Sequence, residues 1–193
     1  MKQPYLPGDQ ERGRWMRLDA ARILKRYFFC ERSLILSQGG WLAGIASFDA
    51  KTMLPAFFWQ DAMIAHALRD RVFELRFPSR MMEIGDDAPL IELFDAALDA
   101  PSAEAFVLSL ARLFKPALLT AYREYEQLAD DLADGPILRE LRMAIAEKTE
   151  QIAGLTSLAQ AMLDAAPERA AEAEAWVGAL GLRLSQVGGL TVE

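Results

Sequence analysis

One stretch decides the fold of this chain: residues 57–71 read FFWQDAMIAHALRDR. With its flanks, it places apolar or amide side chains at intervals of three and four, which is the spacing of one face of an α-helix. The members of that face are Met53, Phe57, Gln60, Ile64, Leu68 and Leu75. The stretch also holds His66, the single histidine of the chain. We therefore predict a long helix over about residues 49–76.

The same spacing recurs along most of the chain, and β-branched residues are sparse, so we expect an all-α protein. The predicted helices are about 15–44, 49–76, 102–131, 135–164 and 168–186, with a short helix at 90–98. We expect one helical domain over 15–187, a flexible arm over 1–14 and a tail over 188–193.

The connections predict how these helices are arranged. Short loops join the first helix to the second and the third to the fourth, whereas residues 77–101 can cross the length of a bundle. This is the one-crossover topology of a ferritin-like antiparallel four-helix bundle, here with an extra C-terminal helix. A helical array without the crossover is the alternative.

Composition excludes several classes of partner. The 193 residues are 52% hydrophobic and 25% charged, with a net charge of −7 and one cysteine, Cys30. An acidic chain lacks the clustered basic face that nucleic acids or anionic membranes require, so we expect neither as a partner. A single cysteine and an N-terminus without an apolar signal region favour a cytoplasmic protein.

Individual residues predict where two of the helices begin and where one of them bends. Asp49 is the expected N-cap of the second helix and Ser102 that of the third. Pro116 predicts a kink in the third helix. The inward face of that helix is predicted to contain Phe106, Leu110, Leu113, Ala117, Thr120, Glu124 and Leu128.

A ferritin-like carboxylate site takes one Glu from each of two helices and a Glu-x-x-His pair from each of the other two. Glu31 suits such a site, because it interrupts an apolar face where a lone charge is costly unless it is partnered. Glu124 lies on the third helix, and the fourth offers Glu147 and Glu150. The second helix presents Gln60 and Ile64 instead of ligands.

Two interpretations of these carboxylates remain open. In the first, buried carboxylates such as Glu31 and Glu124 pair with a lysine, with Lys148 near the centre of the fourth helix's face, and this network replaces the metal. In the second, a partial iron or manganese site survives, formed by Glu31, Glu124, Glu147 and Glu150, with or without His66. His66 and Asp70, four residues apart, are expected to form a surface pair. Asp61 and Asp70 are expected on a solvated charged face together with Arg69, Arg71, Arg76 and Arg80, and the alternative is that this face binds an anionic partner.

Several short motifs resemble bacterial ferritin-like-superfamily proteins, most of which have no assigned role. They are RYFFCERSL at 26–34, GWL at 40–42, WQDA at 59–62, ALRDR at 67–71, ELR at 74–76 and DGPILREL at 134–141. The resemblance covers about residues 20–155 and implies a ferritin-like fold. Relatives carry Glu near position 60 and His near position 64, so Gln60 and Ile64 imply degenerate metal-ligand positions.

We therefore expect a protein without a functional dimetal site that acts as a binding or accessory module. We predict no catalytic residue and no bound cofactor. The alternative is a di-iron or di-manganese carboxylate oxidase or hydroxylase with a reduced ligand set. A third hypothesis is a small-molecule binder that uses the aromatic interior near Phe28, Phe57 and Trp59. The last helix, with Trp176, is expected to pack on the bundle or on a second subunit in a homodimer.

Overall fold

A computed structural model describes residues 13 and 15–190 of the chain. Across this part the protein is all-helical, without a strand, which confirms the predicted all-α class. The six α-helices are α1 Arg17–Gly44, α2 Phe48–Glu74, α3 Ala88–Asp95, α4 Ala103–Leu128, α5 Gly135–Ala165 and α6 Ala170–Gln186. The predicted N-terminal arm, apart from residue 13, and the last three residues of the predicted tail lie outside the described residues.

The start of α2 differs from the prediction. Ser47, not Asp49, is its N-cap, and the Ser47 hydroxyl accepts a hydrogen bond from the Ala50 amide at 3.3 Å. Asp49 lies inside the first turn, where its carboxylate still stabilises the positive end of the helix dipole. Both residues are suited to helix starts, so composition alone did not distinguish the cap from the first turn.

Helices α1 and α2 pack against each other as an antiparallel pair. Gln38, late in α1, donates a hydrogen bond to Asp61 in the middle of α2. Arg17, at the start of α1, donates to the carbonyl of Leu75 just after α2 ends. The start of one helix therefore lies beside the end of the other.

Hydrogen bonds near both ends indicate that α2 and α5 are also antiparallel. Gln151 of α5 donates a hydrogen bond to Gln60 of α2 at 2.8 Å. At the other end, Arg71 of α2 donates to the carbonyl of Ala133, just before α5, at 2.6 Å. Helix α5 also packs against α4, and α6 packs on α4. The last helix therefore packs within the chain, which is one of its two predicted positions.

Side chains of α1 also reach α4, and these two helices run in opposite directions. The Tyr27 hydroxyl donates to the Ala121 carbonyl at 3.1 Å. The rings of Trp41 and Phe106 stack with their centroids 5.3 Å apart. An early residue of α1 thus meets a late residue of α4, and a late residue of α1 meets an early one.

The segment between α2 and α4 follows α1 from one end to the other. Lys25, early in α1, donates to the carbonyl of Glu83 at 2.9 Å. Trp41, late in α1, donates to the carbonyl of Leu98 at 3.1 Å. Helix α3 lies between these two contacts and packs on α1. This path lets α4 begin at the end of α1 opposite to the end where α2 stops.

A π-helical turn interrupts α4 at Leu110–Phe114, where the Lys115 amide donates to the Leu110 carbonyl five residues earlier. It directly precedes Pro116, which has no N–H to donate and whose ring crowds the preceding turn. The turn inserts one residue and shifts the inward face beyond Leu110, so the predicted face is only partly right there: Leu113 and Ala117 are half-buried against the core. The residues that are buried there are Ala111, Phe114, Lys115, Leu118, Leu119, Ala121, Tyr122, Tyr125 and Ala129. Thr120, predicted to face inward, is exposed.

Helix α4 is the one helix in the described residues that is long and apolar enough to span a membrane by length and composition. Within the fold, 72% of its most apolar window is buried by other parts of the chain. A core helix of a soluble protein passes the same test.

Candidate functional site: a buried network of charged side chains

Four charged side chains meet in the interior, one from each of the four long helices. They are Glu31 of α1, Asp61 of α2, Lys115 of α4 and Lys148 of α5, and each is at most 1% exposed. We call them the ion network. Burying a charge is costly unless it is paired, so the positions of these four groups depend on one another.

Lys148 is the centre of the ion network. Its Nζ lies 2.6 Å from Glu31 Oε1 and 3.0 Å from Asp61 Oδ1, so one ammonium bridges two carboxylates. Lys115 Nζ contacts the other oxygen of Asp61, Oδ2. Two ammonium groups and two carboxylates sum to zero charge, which allows the cluster to be buried without a further ion.

Neutral side chains extend the ion network. The Tyr122 hydroxyl donates to Glu31 Oε1 at 2.5 Å, and Lys148 Nζ lies 5.8 Å from the centre of the Tyr122 ring. The Gln38 amide donates to Asp61 Oδ2 at 2.7 Å. Hydrogen bonds to a charged group are about twice as strong as neutral ones, and these bonds fix the orientation of both carboxylates.

Some acceptors at the edge of the ion network have no hydrogen-bond partner among the described residues. They are Glu31 Oε2, Gln38 Oε1 and Gln151 Oε1, all fully buried. An unpaired buried acceptor costs about 1–3 kcal/mol. The interior at this level is therefore polar on the α1 and α5 sides and is not a purely apolar core.

The environment changes the pKa of Asp61 and of Lys148 in favour of their charged forms. Burial alone would raise the pKa of Asp61, but the ammonium groups of Lys115 and Lys148 outweigh it and hold that pKa well below its ordinary value. Burial would lower the pKa of Lys148, but Asp61 and Glu31 outweigh it and raise that pKa. The Asp61–Lys148 contact is therefore an ion pair at neutral pH.

Burial is the largest cause of the pKa shifts of Glu31, Lys115 and Tyr122. Desolvation raises the pKa of Glu31 despite the opposing charge of Lys148, and the nearby carboxylate of Asp61 raises it further. Desolvation lowers the pKa of Lys115, with Asp61 opposing the shift. Burial and the adjacent Glu31 raise the pKa of Tyr122, so its hydroxyl stays protonated and donates.

These residues do not fit a dimetal centre. The ammonium of Lys148 occupies the space between Glu31 and Asp61, so a positive charge already neutralises these two carboxylates. Two lysines are donors only and cannot serve as ligands while charged. Within residues 13 and 15–190, no three His, Cys, Asp or Glu side chains converge as a metal-binding group.

The predicted metal ligands are separated in the structure. Glu31 is in the ion network, whereas Glu124 and Glu147 are half-buried outside it and Glu150 is exposed. Lys148 was expected to neutralise either Glu31 or Glu124; it pairs with Glu31, and Glu124 takes no part in the ion network. The residue added by the π-helical turn explains this, since it rotates everything after Leu110 by about 100° relative to a regular helix.

The second helix gives a mixed result. His66 is exposed and pairs with Asp70 at 3.1 Å, so the predicted surface pair is confirmed. Ile64 is buried as predicted, and Gln60 is half-buried, accepting a hydrogen bond from Gln151. The prediction that Asp61 lies on a solvated face is wrong, because Asp61 is fully buried.

Sequence reasoning therefore missed two members of the ion network. For Asp61 a signal existed: it lies seven residues after Leu54 and seven before Leu68, both buried, so all three share one helical face. For Lys115 the signal was hidden, because a regular helix places it one position away from the inward face. Only the π-helical turn brings it to Asp61.

Comparisons of the chain with protein-family models, with curated proteins and with solved structures gave no match.

Proposed function

We propose that this chain is a ferritin-like helical bundle whose ion network takes the place of a dimetal centre, and that it serves as a binding or accessory module. The observation that carries the proposal is the position of Lys148 Nζ, 2.6 Å from Glu31 and 3.0 Å from Asp61. The ammonium supplies the positive charge that two facing carboxylates need, with hydrogen-bond geometry in place of metal coordination.

The helix directions support the ferritin-like part of the proposal. Helix α2 is antiparallel to α1 and to α5, and α4 is antiparallel to α1, as the hydrogen bonds between them indicate. The segment between α2 and α4 runs the length of α1. These are the features of a four-helix bundle with one crossover connection.

The burial of the ion network supports the proposal that it is not catalytic. A reacting group must come within hydrogen-bond reach of the substrate or of a connecting water. The four charged residues are sealed by their helices, and two surface clefts of about 790 and 410 Å³ are lined by other residues. The ion network therefore acts through the fold that it stabilises.

Metal analysis tests this proposal. The protein is produced with iron and manganese available, purified without chelators, and measured by inductively coupled plasma mass spectrometry, with circular dichroism to confirm that it is folded. We expect metal far below one equivalent in folded protein. A stoichiometric content of iron or manganese that disappears in Glu31→Gln would overturn the proposal and favour the oxidase or hydroxylase alternative.

A further inference from the structure

A shallow groove of about 410 Å³ runs between α2 and α5 on the surface of the protein. Its apolar surface includes Trp59 and Met63 of α2 and Met143 of α5. These side chains are large, and they are 64%, 50% and 51% exposed. We call this surface the α2–α5 groove.

The clustering of these three side chains needs an explanation. Single exposed apolar residues are common, but a contiguous apolar patch with a polar rim marks an interaction site. Trp59 and Met63 are four residues apart and lie on one face of α2, with Met143 facing them from α5. Tryptophan and methionine are also the residue types enriched at the centres of protein interfaces.

The rim of the α2–α5 groove is mostly acidic. Asp70 and Glu74 line it from α2, and Glu140 and Glu147 line it from α5. The two basic side chains in the lining pair with carboxylates of the rim, His66 with Asp70 at 3.1 Å and Arg71 with Glu74 at 3.0 Å. Among the described residues, Glu140 and Glu147 are the rim carboxylates without an ion pair.

We propose that the α2–α5 groove binds a basic amphipathic helix of a partner protein. The apolar floor fits the apolar face of such a helix, and the carboxylates of the rim fit its lysine or arginine residues. A second copy of this chain fits less well, because its own groove would bring one acidic rim against another, and the chain carries a net charge of −7. This inference rests on the proposed role as a binding module and specifies the class of partner.

Synthetic peptides test the inference directly. The probe is a fluorescein-labelled peptide of about 18 residues, with leucine along one helical face and lysine elsewhere, and its match carries glutamate in place of lysine. Binding is followed by fluorescence anisotropy at low salt. We expect saturable binding of the lysine peptide, weaker binding as salt increases, and no saturable binding of the glutamate peptide.

Variants locate the binding surface. Trp59→Ala should weaken binding of the lysine peptide about tenfold or more, as expected for a central aromatic anchor. Leu182→Ala should leave it unchanged, since Leu182 is 67% exposed on α6 and lies outside the groove. Both substitutions remove exposed side chains, and circular dichroism verifies that both variants fold.

Three results would overturn the inference: equal binding of the lysine peptide to Trp59→Ala and wild type, equal binding of the two peptides, or a homodimer in sedimentation velocity that Trp59→Ala dissociates. None of them bears on metal content. A metal-free protein that fails the peptide test overturns only the α2–α5 groove assignment, whereas stoichiometric metal overturns the proposed function.

Discussion

Replacing Lys148 by methionine should be among the most damaging single substitutions in this protein. Methionine keeps most of the volume but removes both contacts of the ammonium, with Glu31 at 2.6 Å and with Asp61 at 3.0 Å. The ion network then changes from zero charge to −1. Glu31 keeps only the Tyr122 hydroxyl as a partner, whereas Asp61 keeps Lys115 and Gln38.

Breaking a buried ion pair by removing one partner costs about 3–5 kcal/mol. The whole free energy of unfolding of a domain is about 5–15 kcal/mol, so the loss is a large fraction of it. For a chain of this size it corresponds to a fall in melting temperature of about 6–20 °C.

Urea unfolding at pH 7, followed by circular dichroism, measures this change. Lys51→Met is the matched control: Lys51 is exposed on α2, and its loss should change stability by less than about 0.5 kcal/mol. Adding Glu31→Gln to Lys148→Met should recover part of the loss, because it removes the unpaired charge. A loss below about 1 kcal/mol for Lys148→Met, or a double variant no more stable than Lys148→Met alone, would show that Lys148 does not neutralise Glu31.

Three further predictions use other parts of the structure. Tyr122→Phe removes the hydroxyl that donates to Glu31 and should lower the free energy of unfolding by about 1.5–3 kcal/mol in the same urea assay. Deleting Arg112 should convert the π-helical turn to a regular one and leave the protein folded by circular dichroism. Deleting Arg123 instead rotates the end of α4 by about 100° and should lower the free energy of unfolding far more. Because the native pKa of Asp61 is lowered, its stabilising effect is complete above about pH 4 and is lost as the pH falls through the native pKa. Wild-type stability should therefore fall more steeply below about pH 4 than that of Asp61→Asn.

For each of these three predictions, one result would contradict it. No loss in Tyr122→Phe would mean that its hydroxyl does not support Glu31. Equal effects of the two deletions would contradict the one-residue insertion in α4. If the free energy of unfolding fell equally steeply below about pH 4 in wild type and in Asp61→Asn, the lowered native pKa of Asp61 would be contradicted.

Much of the helical architecture follows from the sequence because its signals are local. Apolar spacing of three and four marks each long helix, and Ser102 is the N-cap of α4, as its residue type predicts. Glu31 was recognisable because it interrupts an apolar face, and Lys148 because it lies on one. Both are among the least exposed residues in the structure.

The rest of the ion network depends on geometry that local rules do not contain. A single π-helical turn moves Glu124 away from the interior and brings Lys115 into it. Pro116 indicated an irregularity at that point, but its form, a kink or an inserted residue, depends on how α4 packs against its neighbours. Asp61 was misplaced because its charged neighbours suggested a solvated face.

NMR detection of the Lys148 ammonium distinguishes a buried ion network from a metal site. In protein with ¹⁵N-labelled lysine at neutral pH, a buried and hydrogen-bonded ammonium exchanges its protons slowly enough to give a cross-peak, assigned by its absence in Lys148→Arg. We expect this cross-peak, and we expect one equivalent of Mn²⁺ to leave its width unchanged. A missing cross-peak in folded protein, or broadening by Mn²⁺ that Glu31→Gln abolishes, would contradict the claim that an ammonium takes the place of the metal.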